Sequence, residues 1–285
     1  MGLQALLVQA RQRLADTLDL PGNEAALEAQ ILLRHMLGGV SRVWLISNEG
    51  QALTGDQQAR FDTLLSRRLQ GEPIAYILGR REFYGLEFGI TPDVLIPRPD
   101  TETLVEAALQ RIPEGQPCRV LDLGTGSGAI AIAIAAHRLL AMVTAVERSP
   151  AALEVARGNA ARLSAGNLRL LQSNWFSALE GEVFDVIVSN PPYIAAADPH
   201  LSQGDLRFEP ASALASGCDG LDDIRLIIAQ ASAYLVLGGW LLLEHGYDQA
   251  PRVAALLRDA GFGEIGHAAD LAGIARVTLG RRPEV

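Results

Sequence analysis

From residue 118 onward, short apolar runs alternate with helix-forming stretches, and no other feature limits the fold of this chain so tightly. "CRVLDLG" (118–124), "AMVTAVE" (141–147), "LRLLQS" (168–173), "FDVIVS" (184–189) and "GWLLLEHG" (239–246) have the length of buried strands. Helix-forming segments at 127–138, 150–164, 221–236 and 248–260 separate or follow them. Parallel strands need long crossovers, usually helices, so this alternation predicts a doubly wound, mostly parallel α/β sheet covered on both faces. The tail "GEIGHAADLAGIARVTLGRR" (263–282) reads as two further strands that close an antiparallel edge.

The first seventy residues follow a different period. Leu3, Leu6, Leu7, Ala10, Leu14 and Leu18 recur at helical spacing until Pro21-Gly22, and a second helix fits Glu24–Leu37 before Gly38-Gly39. Ser41 is placed to cap a short third helix. Thr54 and Gln57 form a capping box ahead of Phe61, Leu64, Leu65 and Leu69, with Gly71 at the stop. Next, Phe83, Leu86, Phe88 and Ile90, with Gly85 and Gly89, suggest a short hairpin, and Pro92, Pro97 and Pro99 stiffen the path into a helix near Asp100 or Thr101. The expected organisation is a small helical bundle over 1–72, a linker with a β-hairpin over 73–110, and the sheet domain over 111–285.

With 285 residues, 49% of them apolar and 20% charged, the chain can bury a sizeable core. Its net charge of −9 opposes nonspecific nucleic-acid binding, which needs a basic face to displace counterions. Two cysteines, Cys118 and Cys218, stand a hundred residues apart with no metal or disulfide spacing, and a reducing compartment fits. No apolar run is long enough for a bilayer, and the N-terminus lacks the pattern of a signal or a myristoylation site. The expected setting is the cytosol, with no membrane and no direct nucleic-acid partner.

"LDLGTGSGAIAIAIA" places Gly124, Gly126 and Gly128 after a strand and at the start of a helix, where backbone can touch a ligand. The dinucleotide fingerprint is G-x-G-x-x-G; here the spacing is G-x-G-x-G, with Ala129 where a third dinucleotide glycine would fall, which favours a ligand without a pyrophosphate. Glu147 closes the second strand, where a carboxylate can accept two ribose hydroxyl protons. The alternative for Glu147 is a solvated loop acid. Asp122, inside the first strand, is expected to hydrogen-bond the loop's own amides.

Asn190-Pro191-Pro192-Tyr193 ends the fourth strand. Two prolines remove two donors and fix two φ angles, and in general such a pair marks a strand-ending turn. That reading explains neither the amide before them nor the phenol after them. A planar NH₂ group offers two donors, and two acceptors converging on it would orient its nitrogen: the Asn190 side-chain oxygen and the Pro191 carbonyl. Tyr193 would pack on the flat face of such a group. The corner is a clamp for a planar nitrogen, and the five histidines form no constellation beside it.

Together these elements resemble the class I S-adenosylmethionine-dependent methyltransferases, whose amino-methylating branches carry [Asn/Asp/Ser]-Pro-Pro-[Tyr/Phe]. "GEPIAYILGRREFYGLEF", "VLIPRPDTETLVE", "DLGTGSGAIAIA", "NWF", "NPPYI" and "DLRFEPASALASGCDGLDDIR" narrow the resemblance to the HemK/PrmC family. Colinear from about residue 70 to the C-terminus, it implies a seven-stranded sheet and methylation of the glutamine side-chain amide (N5) in the Gly-Gly-Gln motif of peptide chain release factors. It further implies that Gly124, Thr125, Gly126, Ser127 and Gly128 cradle S-adenosylmethionine, that Glu147 binds its ribose, and that Trp175 lies by its adenine; S-adenosylhomocysteine is the product. Asn190, Pro191, Pro192 and Tyr193 would hold the glutamine amide. The family often carries Asp where Glu147 stands, and the longer acid serves the same contact.

The segment 194–220 is long for a connection and its Phe208-Glu209-Pro210 matches the family, so it reads as a substrate-facing lid. Arg67, Arg68, Arg80 and Arg81 are either solvated arginines or contacts to the protein substrate. A nucleic-acid amino-methyltransferase holding adenine or guanine against Tyr193 is the alternative activity. An NAD-dependent dehydrogenase fits neither the glycine spacing nor the proline corner, and an inactive binding module fits poorly with an intact Asn190, Pro191 and Tyr193.

Overall fold

A computed structural model describes residues 2–284. The chain divides into two compact units, Met1–Gly79 and Arg80–Val285.

The first unit is helical: α1 (Leu3–Leu18), α2 (Gly22–Met36), α3 (Arg42–Ser47), α4 (Gly55–Leu69) and α5 (Ile74–Leu78). The start signals act as their chemistry dictates. The Ser41 hydroxyl accepts from the Trp44 amide at 3.1 Å. Thr54 and Gln57 form a reciprocal capping box, with bonds of 3.2 and 3.0 Å. Leu6, Leu14, Leu32, Leu33, Phe61 and Leu65 make the core of this unit. Arg68 is buried and holds both Glu28 carboxylate oxygens, at 2.8 and 3.0 Å. Arg67 pairs with Glu72. Two of the four arginines read as solvated or as substrate contacts are therefore tied within their own unit. With only five residues, α5 is too short for periodicity to reveal.

The second unit opens with the hairpin of β1 (Arg80–Phe83) and β2 (Leu86–Gly89). Its two-residue turn has Tyr84 at φ 51 and Gly85 at φ 75, both left-handed, as a type I′ turn requires. A 3₁₀ turn over Pro99–Thr101 leads into α6 (Glu102–Leu109). There follow β3 (Cys118–Leu123), α7 (Ala129–His137), β4 (Ala141–Glu147), α8 (Pro150–Arg162), β5 (Leu168–Gln172) and β6 (Phe184–Ser189). The chain ends with α9 (Asp222–Tyr234), β7 (Leu235–Glu244), α10 (Ala250–Asp259), β8 (Gly263–Ala269) and β9 (Ala275–Arg281).

These strands form one seven-stranded sheet in the order β5-β4-β3-β6-β7-β9-β8. The first five are parallel neighbours, and β9 runs antiparallel to both β7 and β8. The doubly wound sheet is as expected, but β9 inserts between β7 and β8, which strand order along the chain does not reveal. Residues Ala129–Ala135 of α7 are buried all round, which explains why that segment is apolar on every face. Leu121, Leu123, Ile187, Leu241 and Leu243 pack with Ile224 and Ile227 of α9 and Val253 and Leu257 of α10. β7 starts at Leu235, four residues earlier than the sequence suggests, because Leu235 already pairs with Phe184 before a register shift that brings Trp240 opposite Val186. Among the described residues no helix is long and apolar enough to cross a membrane.

Candidate active site

Parallel sheets of this kind hold ligands at the strand carboxyl ends, where strand order reverses. Here the reversal lies between β3 and β6. A cleft of about 390 Å³ opens there, and its walls include Gly124, Gly126, Glu147, Trp175, Asn190 and Pro192. Pro92–Leu95 and residues from 210 to 223 complete it. Its size falls within the usual range of roughly 300–1,000 Å³ for small-molecule sites.

The glycine turn between β3 and α7 is held from beneath. The amides of Gly124 and Thr125 both donate to the Val146 carbonyl, at 2.9 and 3.0 Å. Gly124, with φ 72, lies so close to Trp175 that a Cβ would stand 3.2 Å from its ring. Gly126, with φ 55, has no heavy atom within 4 Å of that position, so its backbone faces open space. Gly128, with φ 83, sits against Ile132 and Ala156, closing α7 onto α8. Ser127 is buried, and its carbonyl accepts from Asn159 Nδ2 at 2.8 Å. Asn159 also bonds both backbone groups of Gly89, at 2.7 and 3.0 Å, which ties the hairpin to the turn.

The loop-amide contact expected of Asp122 is made by the other acid. Glu147, not Asp122, receives a loop amide: its carboxylate accepts from Gly126 N at 3.0 Å and Ser149 N at 2.9 Å. Asp122 is fully buried and accepts from the Thr125 hydroxyl at 2.6 Å, while Oδ1 has no partner. Burial raises its carboxyl to about 7, against the Thr125 hydrogen bond and the Ala131 amide, which favour the charged form. Trp175 follows β5 at φ 49, in a turn that the Ser173 hydroxyl pins by donating to the Trp175 carbonyl at 2.8 Å.

Asn190 stands just past β6 with its side-chain oxygen buried and unpartnered, while Nδ2 donates to Thr101 Oγ1 at 3.2 Å. Pro191 is buried and outside the cleft wall, whereas Pro192 lines it. Tyr193 turns away, packing on the sheet core with its hydroxyl 3.4 Å from Glu244 Oε1. Glu244 ends β7 fully buried, with Oε2 unpartnered, and burial raises it to about 7 although the Thr101 and Tyr193 hydroxyls near it favour the charged form. Sequence reading missed Thr101 and Glu244; an acid closing an apolar strand beside the proline corner was the available signal. The segment 194–220 is pinned through Glu209, whose buried carboxylate accepts from the Ile96 amide at 3.1 Å and pairs with Arg98.

Known proteins place this geometry in a family. The pattern of the PrmC N-terminal domain matches residues 5–79, and that of the methyltransferase small domain matches residues 100–213. The release factor glutamine methyltransferase of Burkholderia pseudomallei is 56% identical over 265 residues, covering 90% of this chain and 92% of that protein. The Salmonella typhimurium enzyme of that name is 49% identical over 281 residues, 99% of each chain. The Escherichia coli one is 50% identical over 254 residues, 89% of this chain and 91% of that protein. In fold, a Pyrococcus furiosus methyltransferase superposes with a TM-score of 0.53 at 20% identity, covering 78% of this chain and 99% of that one. With two domain patterns in register and near-full-length identity of about half, the chain belongs to the release factor glutamine methyltransferases.

Proposed function

We propose that this protein transfers a methyl group from S-adenosylmethionine to the side-chain amide nitrogen (N5) of the glutamine in the Gly-Gly-Gln motif of peptide chain release factors, in the cytosol. The observation that carries this reading is the Asn190 side-chain oxygen, a buried acceptor without a partner at the edge of the cleft. A buried acceptor left unbonded costs about 1–3 kcal/mol, so it marks where a donor belongs.

The residues present suit the cofactor. Gly124 and Gly126 offer backbone with no side chain in the way, and Trp175 supplies a flat apolar wall. Each Glu147 oxygen holds one amide and keeps a second lone pair for a ribose hydroxyl. When bound, S-adenosylmethionine supplies an electrophilic methyl group on a positively charged sulfur.

An amide nitrogen is a poor nucleophile because its lone pair conjugates with the carbonyl. The Asn190 oxygen and the Pro191 carbonyl accept from its two N–H groups, aiming the lone pair and stabilising positive charge that develops on nitrogen. Such preorganised electrostatics contributes about 3–4 kcal/mol per well-placed group. Alignment of the two reactants adds up to roughly 7–11 kcal/mol. A protonated N-methyl amide is a strong acid and sheds its proton without a dedicated base. The helical N-terminal residues, 1–72, recognise the protein substrate, and 194–220 faces it.

The test is Asn190→Ala. Methyl transfer to a release factor falls at least about 100-fold, while calorimetric S-adenosylmethionine affinity is largely kept. Full turnover by the variant, or label from S-adenosylmethionine appearing in nucleic acid instead of release factor, sinks the reading.

A further inference from the structure

The proposed clamp uses two groups, the Asn190 side-chain oxygen and the Pro191 carbonyl, and both ride on one short piece of chain. Asn190 and Pro191 each precede a proline, which disfavours helical backbone at both, and the rings fix φ at 191 and 192. The piece is stiff, but a stiff piece aims only as well as its two ends are held. Its prolines carry no N–H, so no amide of their own can moor it. Upstream, Ser189 closes β6 with its hydroxyl donating to the Leu123 carbonyl at 2.8 Å. The downstream mooring starts at Tyr193.

There the Tyr193 carbonyl accepts from Gln249 Nε2 at 3.0 Å. Gln249 is buried and immediately precedes α10. The other end of its side chain accepts from the amide of Gly246, just past β7, at 2.8 Å. A backbone N–H can only donate and a backbone carbonyl can only accept, so both ends of the Gln249 amide are assigned by their partners. A residue at a helix start ordinarily turns its side chain onto the amides of the first turn. Gln249 makes no such bond; it reaches back to Gly246 and across to Tyr193 instead. Gly220, with φ 76, lies against this contact: a Cβ there would collide with the Tyr193 carbonyl and stand 2.8 Å from Gln249 Nε2. One residue further on, Ile194 donates to the Leu214 carbonyl and accepts from the Ser216 amide, each at 2.9 Å.

We propose that Gln249 is a positioning residue for methyl transfer, tying the Tyr193 carbonyl to the end of β7 and so holding Asn190 and the Pro191 carbonyl on the substrate nitrogen. This rests on the proposed clamp role of those two groups. β6 and β7 are adjacent parallel strands, so the tie joins neighbouring strand ends and fixes the corner relative to the sheet that carries the cleft. Gly220 leaves the space in which the tie forms. Neither Gln249 nor Gly220 lines the cleft, so both act through the corner rather than on a ligand.

Two variants strain the tie from different sides. Gln249→Met keeps the length of the side chain and removes both hydrogen bonds. Gly220→Ala presses on the Tyr193 carbonyl and leaves Gly246 alone. Each is expected to lower kcat toward release factor about 10- to 100-fold, the cost of displacing a reacting group by roughly 1 Å. KM for release factor and calorimetric S-adenosylmethionine affinity stay within about threefold, the signature of an interaction expressed in the transition state. Hydrogen exchange in the unliganded protein quickens at residues 193–196 in both variants, with β3, β4 and β6 unchanged. Wild-type kcat in either variant overturns the proposal, as does loosening confined to residues 245–249 in Gln249→Met, which would mean that the glutamine serves only the start of α10. Should one variant fail to fold, the other decides by the same readouts. A wild-type protein that leaves release factor unmethylated, while 193–196 still loosens in Gln249→Met, overturns the proposed function and supports the tie.

Discussion

Asp122 lies fully buried beneath the glycine turn, where burial lifts its carboxyl from an ordinary 3.8 to about 7. Between those values the folded chain holds a proton that the unfolded chain has released. The stability this group contributes is therefore complete below about pH 4 and is lost as pH rises through about 7, opposite to the usual surface carboxylate. Asp122→Asn keeps an acceptor for the Thr125 hydroxyl and removes the titration. The variant is expected to show a flatter dependence of unfolding midpoint on pH between about 4 and 8, and to exceed the wild type in stability at the alkaline end. Denaturant unfolding across that range checks it, and an unchanged slope would contradict the assignment. Glu147 and Asn190 complete the residue-scale picture: one acid engaged by Gly126 and Ser149, one amide oxygen left waiting.

Among the elements, the segment 194–220 is the least regular and the most revealing. It is built of three 3₁₀ turns and a single bridge between Ile194 and Ala215. One buried side chain, Glu209, pins it to Ile96 and Arg98. Burial raises the Glu209 carboxyl while Arg98 lowers it, and burial is the larger influence. Glu209→Ala leaves the Ile96 amide without its acceptor and Arg98 without its anion. Hydrogen bonds to charged groups contribute about 1.5–3 kcal/mol. Amides of 194–220 are then expected to exchange about 10- to 100-fold faster, with β3, β4 and β6 unchanged. Hydrogen-exchange mass spectrometry reads this directly, and uniform acceleration across the sheet would instead mean global destabilisation. Helix starts need no such tertiary pin, since Ser41 and Thr54 satisfy their amides within four residues.

At the scale of the whole molecule, the cleft and its supports all lie within Arg80–Val285, while Met1–Gly79 has its own apolar core. A protein of residues 80–285 is therefore expected to bind S-adenosylmethionine within about threefold of the full chain, yet to lose most kcat/KM toward release factor. Calorimetry and a methylation assay on the same preparation separate the two outcomes, and undiminished turnover would remove the recognition role proposed for residues 1–72. Strands, helices, caps and the glycine turn were legible because they express local preferences and burial periodicity, which neighbouring residues alone carry. The places of Glu147 and Asn190 at the cleft were legible because strand ends in a parallel sheet meet at a predictable edge. Partnership was not. Which acid takes the Gly126 amide, which hydroxyl Asn190 meets 89 residues away, and which arginine Glu209 finds 111 residues away depend on how strands stack side by side. The sequence by itself determined the elements and the chemistry at their ends. Only the tertiary structure decided the order β5-β4-β3-β6-β7-β9-β8, and with it the set of buried polar partners. A buried polar atom bonds whatever packing brings within 3 Å or so, and packing is settled by the burial of the whole core rather than by the residue itself.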